Sequence, residues 1–164
     1  MKGIKDLVLL GDSRLYEYCQ PVGKDEGFSP LEWKENFQNT VKEFREKFGF
    51  GRAIAAPQLG LLKRVIFMNT ETPEILINPE ILFQSEEMFE VWDNCMSFPN
   101  LEVLVKRHKE IQIKYLDENW ETREKQYQND LSELFQHEFD HLNGILCIQR
   151  AIDPRAFRWS HPLV

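Results

Sequence analysis

Asp130-Leu131-Ser132-Glu133-Leu134-Phe135-Gln136-His137-Glu138-Phe139-Asp140-His141-Leu142-Asn143-Gly144 is the stretch around which the rest of this chain must be arranged. Asp130 and Glu133 read as a capping box that opens a helix, and Asn143-Gly144 reads as its C-terminal stop. Leu131, Leu134, Phe135, Phe139 and Leu142 surround that helix almost completely, so it is expected to be buried on most sides. It nevertheless carries His137, Glu138, Asp140 and His141. Ionisable groups in a buried helix are costly unless something compensates them, and a bound cation is the simplest compensation. His137 and His141 are four residues apart, so they project from one face and can grip one metal ion. Glu138 then stands beside the ion's open position, where a carboxylate can take a proton from water. The pattern points to metal-assisted hydrolysis.

Composition narrows the setting. At 164 residues the chain is the size of one domain, and no repeat or linker divides it, so a single domain over 1–164 is expected. The net charge of −7 argues against direct nucleic-acid binding, which needs an excess of Lys and Arg. No apolar run approaches the length of a membrane helix, and Leu7 to Leu10 is too short for a signal peptide. Cys19, Cys95 and Cys147 are an odd, sparse set. They imply a reducing, cytoplasmic location rather than a disulfide framework.

Residues 11–28 read as an irregular entry. Ser29-Pro30-Leu31-Glu32 opens a first helix, with Leu31, Phe37, Val41, Phe44 and Phe48 on its inner face and Gly49 as its stop. Short strands are expected at Arg64 to Asn69, Glu74 to Asn78 and Ile81 to Gln84, with Pro73 and Pro79 as punctuation. Val103 to Arg107 and Ile111 to Leu116 look like an antiparallel pair, followed by a turn and a polar strand, Thr122 to Gln128.

A His/His pair needs a third ligand. A common zinc protease would take it from downstream, but only twenty residues follow Gly144, with His161 among them and no Glu. The ligand should come from upstream. Cys95, in Trp92-Asp93-Asn94-Cys95-Met96-Ser97, is the candidate, although a free cysteine is more often a small core residue. A third segment, Gly51-Arg52-Ala53-Ile54-Ala55-Ala56-Pro57-Gln58, is rich in small residues that let a backbone approach something closely. Its Gln58 is either a surface amide or a neutral donor for a developing oxyanion.

Together these segments resemble the three ordered motifs of the peptide deformylase family, G-x-G-φ-A-A-x-Q, E-G-C-φ-S and Q-H-E-x-D-H-L-x-G, where φ is apolar. Leu10-Gly11-Asp12-Ser13-Arg14-Leu15 to Pro21-Val22 and Ile77-Asn78-Pro79 also match, so the likeness covers nearly the whole chain. The resemblance implies an α+β fold: short antiparallel sheets around a central metal-binding helix, with an additional N-terminal helix. It implies that Cys95, His137 and His141 bind one divalent metal, natively Fe²⁺, with Zn²⁺, Ni²⁺ or Co²⁺ able to serve. Glu138 would move the proton, while Gln58 and the Met96 N–H would stabilise the oxyanion. Asp140 and Gln136 would support the site rather than react. The implied reaction is hydrolysis of the formyl group from N-formylmethionyl peptides of newly made proteins, releasing formate. Transient ribosome association is compatible with that role, but Ile152 to Val164 is not basic enough to read as a docking helix.

Motif three is complete and the other two are altered. Ala53 replaces a glycine, Asp93 replaces Glu, and Asn94 replaces Gly. Asn94 is expected to tolerate a left-handed turn. Asp93 is expected to face Arg107, one methylene farther away than a Glu would be. Gly51, Arg52, Ala53, Asp93 and Asn94 are the expected substrate contacts. The alternative readings are a related hydrolase of another small N-acyl or formamide substrate, and a catalytically weak, metal-retaining binder of peptide N-termini.

Overall fold

In the computed structural model, which describes residues 1–160, the first long element is helix α1 (Pro30–Phe48). The Ser29 hydroxyl accepts the Glu32 N–H, and Gly49 ends the helix in the left-handed region. Phe37, Val41 and Phe44 are buried as expected, but Leu31 is 62% exposed. It lies in the first turn of the helix.

That sheet has five antiparallel strands in the order β1-β2-β3-β6-β7. They are β1 (Ala53–Ala55), β2 (Val65–Met68), β3 (Glu74–Gln84), β6 (Glu110–Leu116) and β7 (Thr122–Gln128). Both faces of β2 are covered, which is why its sequence is continuously apolar. Val65 and Phe67 pack with α1 residues, whereas Ile66 and Met68 pack with Phe135 and Leu142 on the other side. In β6 Ile111, Ile113 and Tyr115 turn toward α2, matching the alternation in the sequence, while Leu116 packs against the core on the α1 side.

A smaller antiparallel sheet, β4-β5-β8, is formed by β4 (Met88–Asn94), β5 (Leu101–His108) and β8 (Phe157–Trp159). Helix α2 (Asn129–Leu142) lies among these elements, touching β1, β2, β6 and β7 of one sheet and β5 of the other. Ten of its 14 residues are buried, so the expectation of a central helix holds.

Four expectations need correction. The strands expected on either side of Pro79 are one strand, β3. Its register shifts between Ile77 and Glu80, where Asn78 takes a φ of +51° and absorbs the bulge. The Asn78 side-chain amide exchanges two hydrogen bonds with the Val22 backbone there. Second, β5 and β6 are not partners. Only Lys109 separates them, too little for a hairpin, so the chain turns a corner from one sheet into the other. Third, Asp130 does not cap α2. Strand β7 runs straight into the helix through Asn129, at φ +53°, and the N-cap residue, Gln128, makes no side-chain capping bond. Fourth, Asn94 is not left-handed: it closes β4 opposite Glu102. The rejected ligand His161 lies outside the described residues.

Candidate metal centre

Three elements converge on one point. Helix α2 presents His137, Glu138 and His141 from its buried face. Strand β4 ends at Asn94, and the next residue, Cys95, turns its thiol toward the helix. Strand β1 leads into a single 3₁₀ turn, Ala56–Leu59, which carries Gln58.

The Cys95 Sγ lies 3.3 Å from His141 Nε2, which lies 3.2 Å from His137 Nε2. All three ligand atoms fall within 4.8 Å of one another, and all three residues are buried. Crowding two ring nitrogens and a thiol in this way is unfavourable unless a cation sits between them. Two imidazoles and a thiolate make a donor set that suits Zn²⁺ or Fe²⁺. Burial and the neighbouring His137 push the His141 pKa well below its usual value, in the direction of the neutral ring that a metal ligand needs. The residues therefore fit a divalent metal.

The ligands are held from behind. His137 Nδ1 lies 2.8 Å from Asp93 Oδ1, which directs Nε2 toward the other two ligands. The second oxygen of Asp93 accepts from Arg107 at 2.7 Å, so the shorter carboxylate still pairs directly. Arg107 also donates to Asp140 at 2.6 Å, and Asp140 accepts from Arg150 at 2.8 Å. Burial disfavours the charge on Asp93, but His137 and Arg107 outweigh it and hold the carboxyl well below the ordinary range. Gln136 is structural: its amide joins His108 and Ser132.

Asp93, His137 and Cys147 form a second close group of ligand-type atoms. Burial pushes the Cys147 thiol well above its usual pKa, so it remains a neutral packing residue behind the ring. Cys19 is likewise buried and protonated.

A cavity of about 460 Å³ opens in front of the centre. Gly51, Arg52, Ala53, Asp93, Asn94, Met96, His137 and Glu138 all line it, which brings the sequence-derived residues together. Gly51 has a φ of +115°, a conformation that strains any side chain, although a Cβ there would meet Phe44 and Met96 only at ordinary contact distance. Both oxygens of Asp93 face Arg107 and His137, and Asn94 lines the cavity beside it.

Glu138 is 3% exposed, and its Oε2 has no hydrogen-bond partner among the described residues. Burial raises its pKa to about 7, which suits a group that must both take and give a proton near neutrality. Gln58 is clamped. Its Oε1 accepts the Ala55 N–H at 2.9 Å, which turns Nε2 toward Ser97 Oγ at 3.2 Å and Cys95 Sγ at 3.6 Å. The Met96 N–H donates to none of the described residues. The arrangement joins a cation site, a buried proton carrier and two neutral N–H donors, which are the parts that amide hydrolysis needs.

Sequence reasoning missed Ser97, Arg150 and Glu133. Arg150 reaches the site across the fold and leaves no local pattern, whereas Ser97 stands in the same segment as Cys95 and was given no role. Glu133 stands four residues before His137, so helical spacing could have placed it on the cavity wall.

Comparison with known proteins agrees with the geometry. The sequence profile described as polypeptide deformylase matches residues 4–156. The peptide deformylase of Thermotoga maritima is 35% identical over 145 residues, covering 87% of this chain and 84% of that protein. The crystal structure of the Thermotoga maritima enzyme superposes with a TM-score of 0.79 at 32% identity, covering 90% of this chain and 97% of that one. A peptide deformylase from Synechococcus elongatus in complex with actinonin gives 0.80 at 30% identity, covering 90% and 79%. The chain belongs to the polypeptide deformylase family.

Proposed function

We propose that Cys95, His137 and His141 hold one divalent metal ion, and that the chain removes the formyl group from N-formylmethionyl peptides of newly made proteins, releasing formate. The observation that carries this reading is the unpartnered, buried Glu138 oxygen, set one residue from a ligand and open to the cavity. When bound, the ion supplies Lewis-acid polarisation of the formyl carbonyl and an acidified water as nucleophile. Glu138 accepts the proton of the attacking water and returns it to the departing amine. Gln58 Nε2 and the Met96 N–H donate to the carbonyl oxygen as it gains charge. Asp93, anchored by Arg107, keeps the His137 ring oriented, and Asn94 lines the path of the substrate backbone. Gly51 to Ala53 form the facing wall.

Fe²⁺ is the proposed native ion, with Zn²⁺, Ni²⁺ and Co²⁺ as substitutes. A cytoplasmic site of action and transient contact with the ribosome belong to the same proposal. Among the described residues, no helix is long and apolar enough to cross a membrane.

A binder of peptide N-termini would have no use for Glu138, whose burial is costly. The test is formate release from formyl-Met-Ala-Ser by protein loaded anaerobically with Fe²⁺ or Ni²⁺. Turnover that Glu138→Ala abolishes while the metal stays bound is expected. Undiminished turnover in that variant removes the assigned mechanism.

A further inference from the structure

Gln136, Phe139, Asp140 and Asn143 share a face of α2 that borders a second cavity, of about 250 Å³, behind the metal centre. Arg107, Asp140 and Arg150 line it as well, so this side of the site is not closed by packing. One buried guanidinium, that of Arg107, serves two carboxylates with separate nitrogens. Its Nη1 donates to Asp140 Oδ2 at 2.6 Å and its Nη2 to Asp93 Oδ2 at 2.7 Å. Its Nε donates to none of the described residues. A guanidinium pairs most strongly when two of its N–H groups grip one carboxylate, so the two acids compete for it. Arg150 bears on that competition. It ends the 3₁₀ turn Cys147–Arg150, and its Nη2 and Nε donate to Asp140 at 2.8 and 3.2 Å. Among the described residues, Arg150 is the one donor to Asp140 Oδ1.

We infer that Arg150 is a positioning residue: by satisfying Asp140 it leaves Arg107 to hold Asp93, and through Asp93 it fixes the ring of His137. This inference rests on the reading of Cys95, His137 and His141 as metal ligands. Without Arg150, Asp140 keeps a buried oxygen with no protein donor, a costly state. The second cavity gives the Arg107 guanidinium room to turn toward that oxygen and off the Asp93 carboxylate. Asp93 is then anchored by His137 alone, and the ring loses the fixed direction of its Nε2. The Arg150 side chain is 47% exposed, so a direct effect of its charge on the metal would be screened by solvent. Its influence has to pass through Asp140.

The test measures Co²⁺ affinity, by competition with a chromophoric chelator, together with the visible spectrum of the bound Co²⁺ and the melting temperature. The chains compared are the parent, Arg150→Met, Arg150→Lys, Asp140→Asn and the double variant of Asp140→Asn with Arg150→Met. Arg150→Met is expected to weaken Co²⁺ binding by about fivefold or more and to shift the ligand-field bands, with Arg150→Lys recovering part of both. Asp140→Asn removes the competing carboxylate, so adding Arg150→Met to it should change the affinity by less than about twofold. A purely structural Arg150 predicts a lower melting temperature with Co²⁺ affinity and spectrum unchanged, or the same loss of affinity with and without Asp140→Asn. Either result overturns the inference. A parent chain that binds no Co²⁺ would instead count against the metal centre. Nitrogen–proton correlations of His137 in the metal-free chains then decide the inference: a Nδ1 proton held in the parent and exchanging freely in Arg150→Met supports it, and identical signals overturn it.

Discussion

Two acidic residues in the site have opposite environments, and each makes a prediction. Asp93 is ionised and doubly paired, so Asp93→Ala would leave the buried Arg107 with Asp140 as its one carboxylate partner among the described residues and free the His137 ring. The expected cost is about 3–5 kcal/mol of stability and 10–100-fold in metal affinity, read by denaturant melts and metal titration. Wild-type values for both would show that the pair behind His137 is ornamental. Glu138 is the reverse case. Burial raises its pKa from 4.5 to about 7, so the fold favours the neutral form. Its contribution to stability is complete below the unfolded value of 4.5 and is lost as pH rises through about 7. Metal-free Glu138→Gln should therefore show a shallower fall in melting temperature than the parent chain over that window. Identical pH profiles would mean that Glu138 is not desolvated. At this scale the sequence was most legible where chemistry is local: His137, Glu138 and His141 share one helical turn. Arg150 was invisible because only the fold brings it in.

The precision of the centre is set by the ends of elements. Gly144, at φ +70°, stops α2 where an added Cβ would lie 2.4 Å from the Tyr16 carbonyl oxygen. That neighbour is backbone and cannot swing aside. The buried Arg64 guanidinium donates to the Leu142 carbonyl and to Asn143 at the same end. Gly144→Ala should destabilise the chain by more than about 1 kcal/mol, beyond the ordinary glycine-to-alanine range, and in the opposite direction to a helix-propensity gain. An unchanged or higher melting temperature would show that this end can relax. Phe135, fully buried between α2 and the five-stranded sheet, should cost about 3–5 kcal/mol when cut to Ala. Helices α1 and α2 were legible from periodicity. Strand β4 was not expected, because its burial pattern is irregular: Trp92 is half-buried between Val91 and the buried Asp93, so the alternation breaks there. The β5–β6 pairing failed for a different reason: adjacency in sequence is a weak guide where one residue turns the corner between sheets.

Across the molecule, two sheets and α1 exist to hold one helix whose polar face could not otherwise be buried. The ion is therefore expected to be part of the stability of the fold. Free ion at about one hundred times its dissociation constant should add about 2.7 kcal/mol, seen as a rise in melting temperature that chelation reverses. No rise would mean that the ligands do not act together. Hydroxamates should inhibit the loaded protein, since two oxygens can fill the open side of the centre while Gln58 and Met96 donate to them. The fold class was legible through the resemblance of the three motifs to the deformylase family, while the apolar surroundings of α2 pointed only to a buried helix. The cavity's polar end was not legible, because Glu133 was read only as the start of a helix.

The most direct measurement is an anomalous difference map from crystals of iron-loaded protein, collected on both sides of the iron edge. A single peak within bonding distance of Cys95 Sγ, His137 Nε2 and His141 Nε2, facing Glu138, is the expected result. A peak bound elsewhere, or none at those atoms in crystals shown to contain stoichiometric iron, would contradict the metal centre on which the whole reading depends.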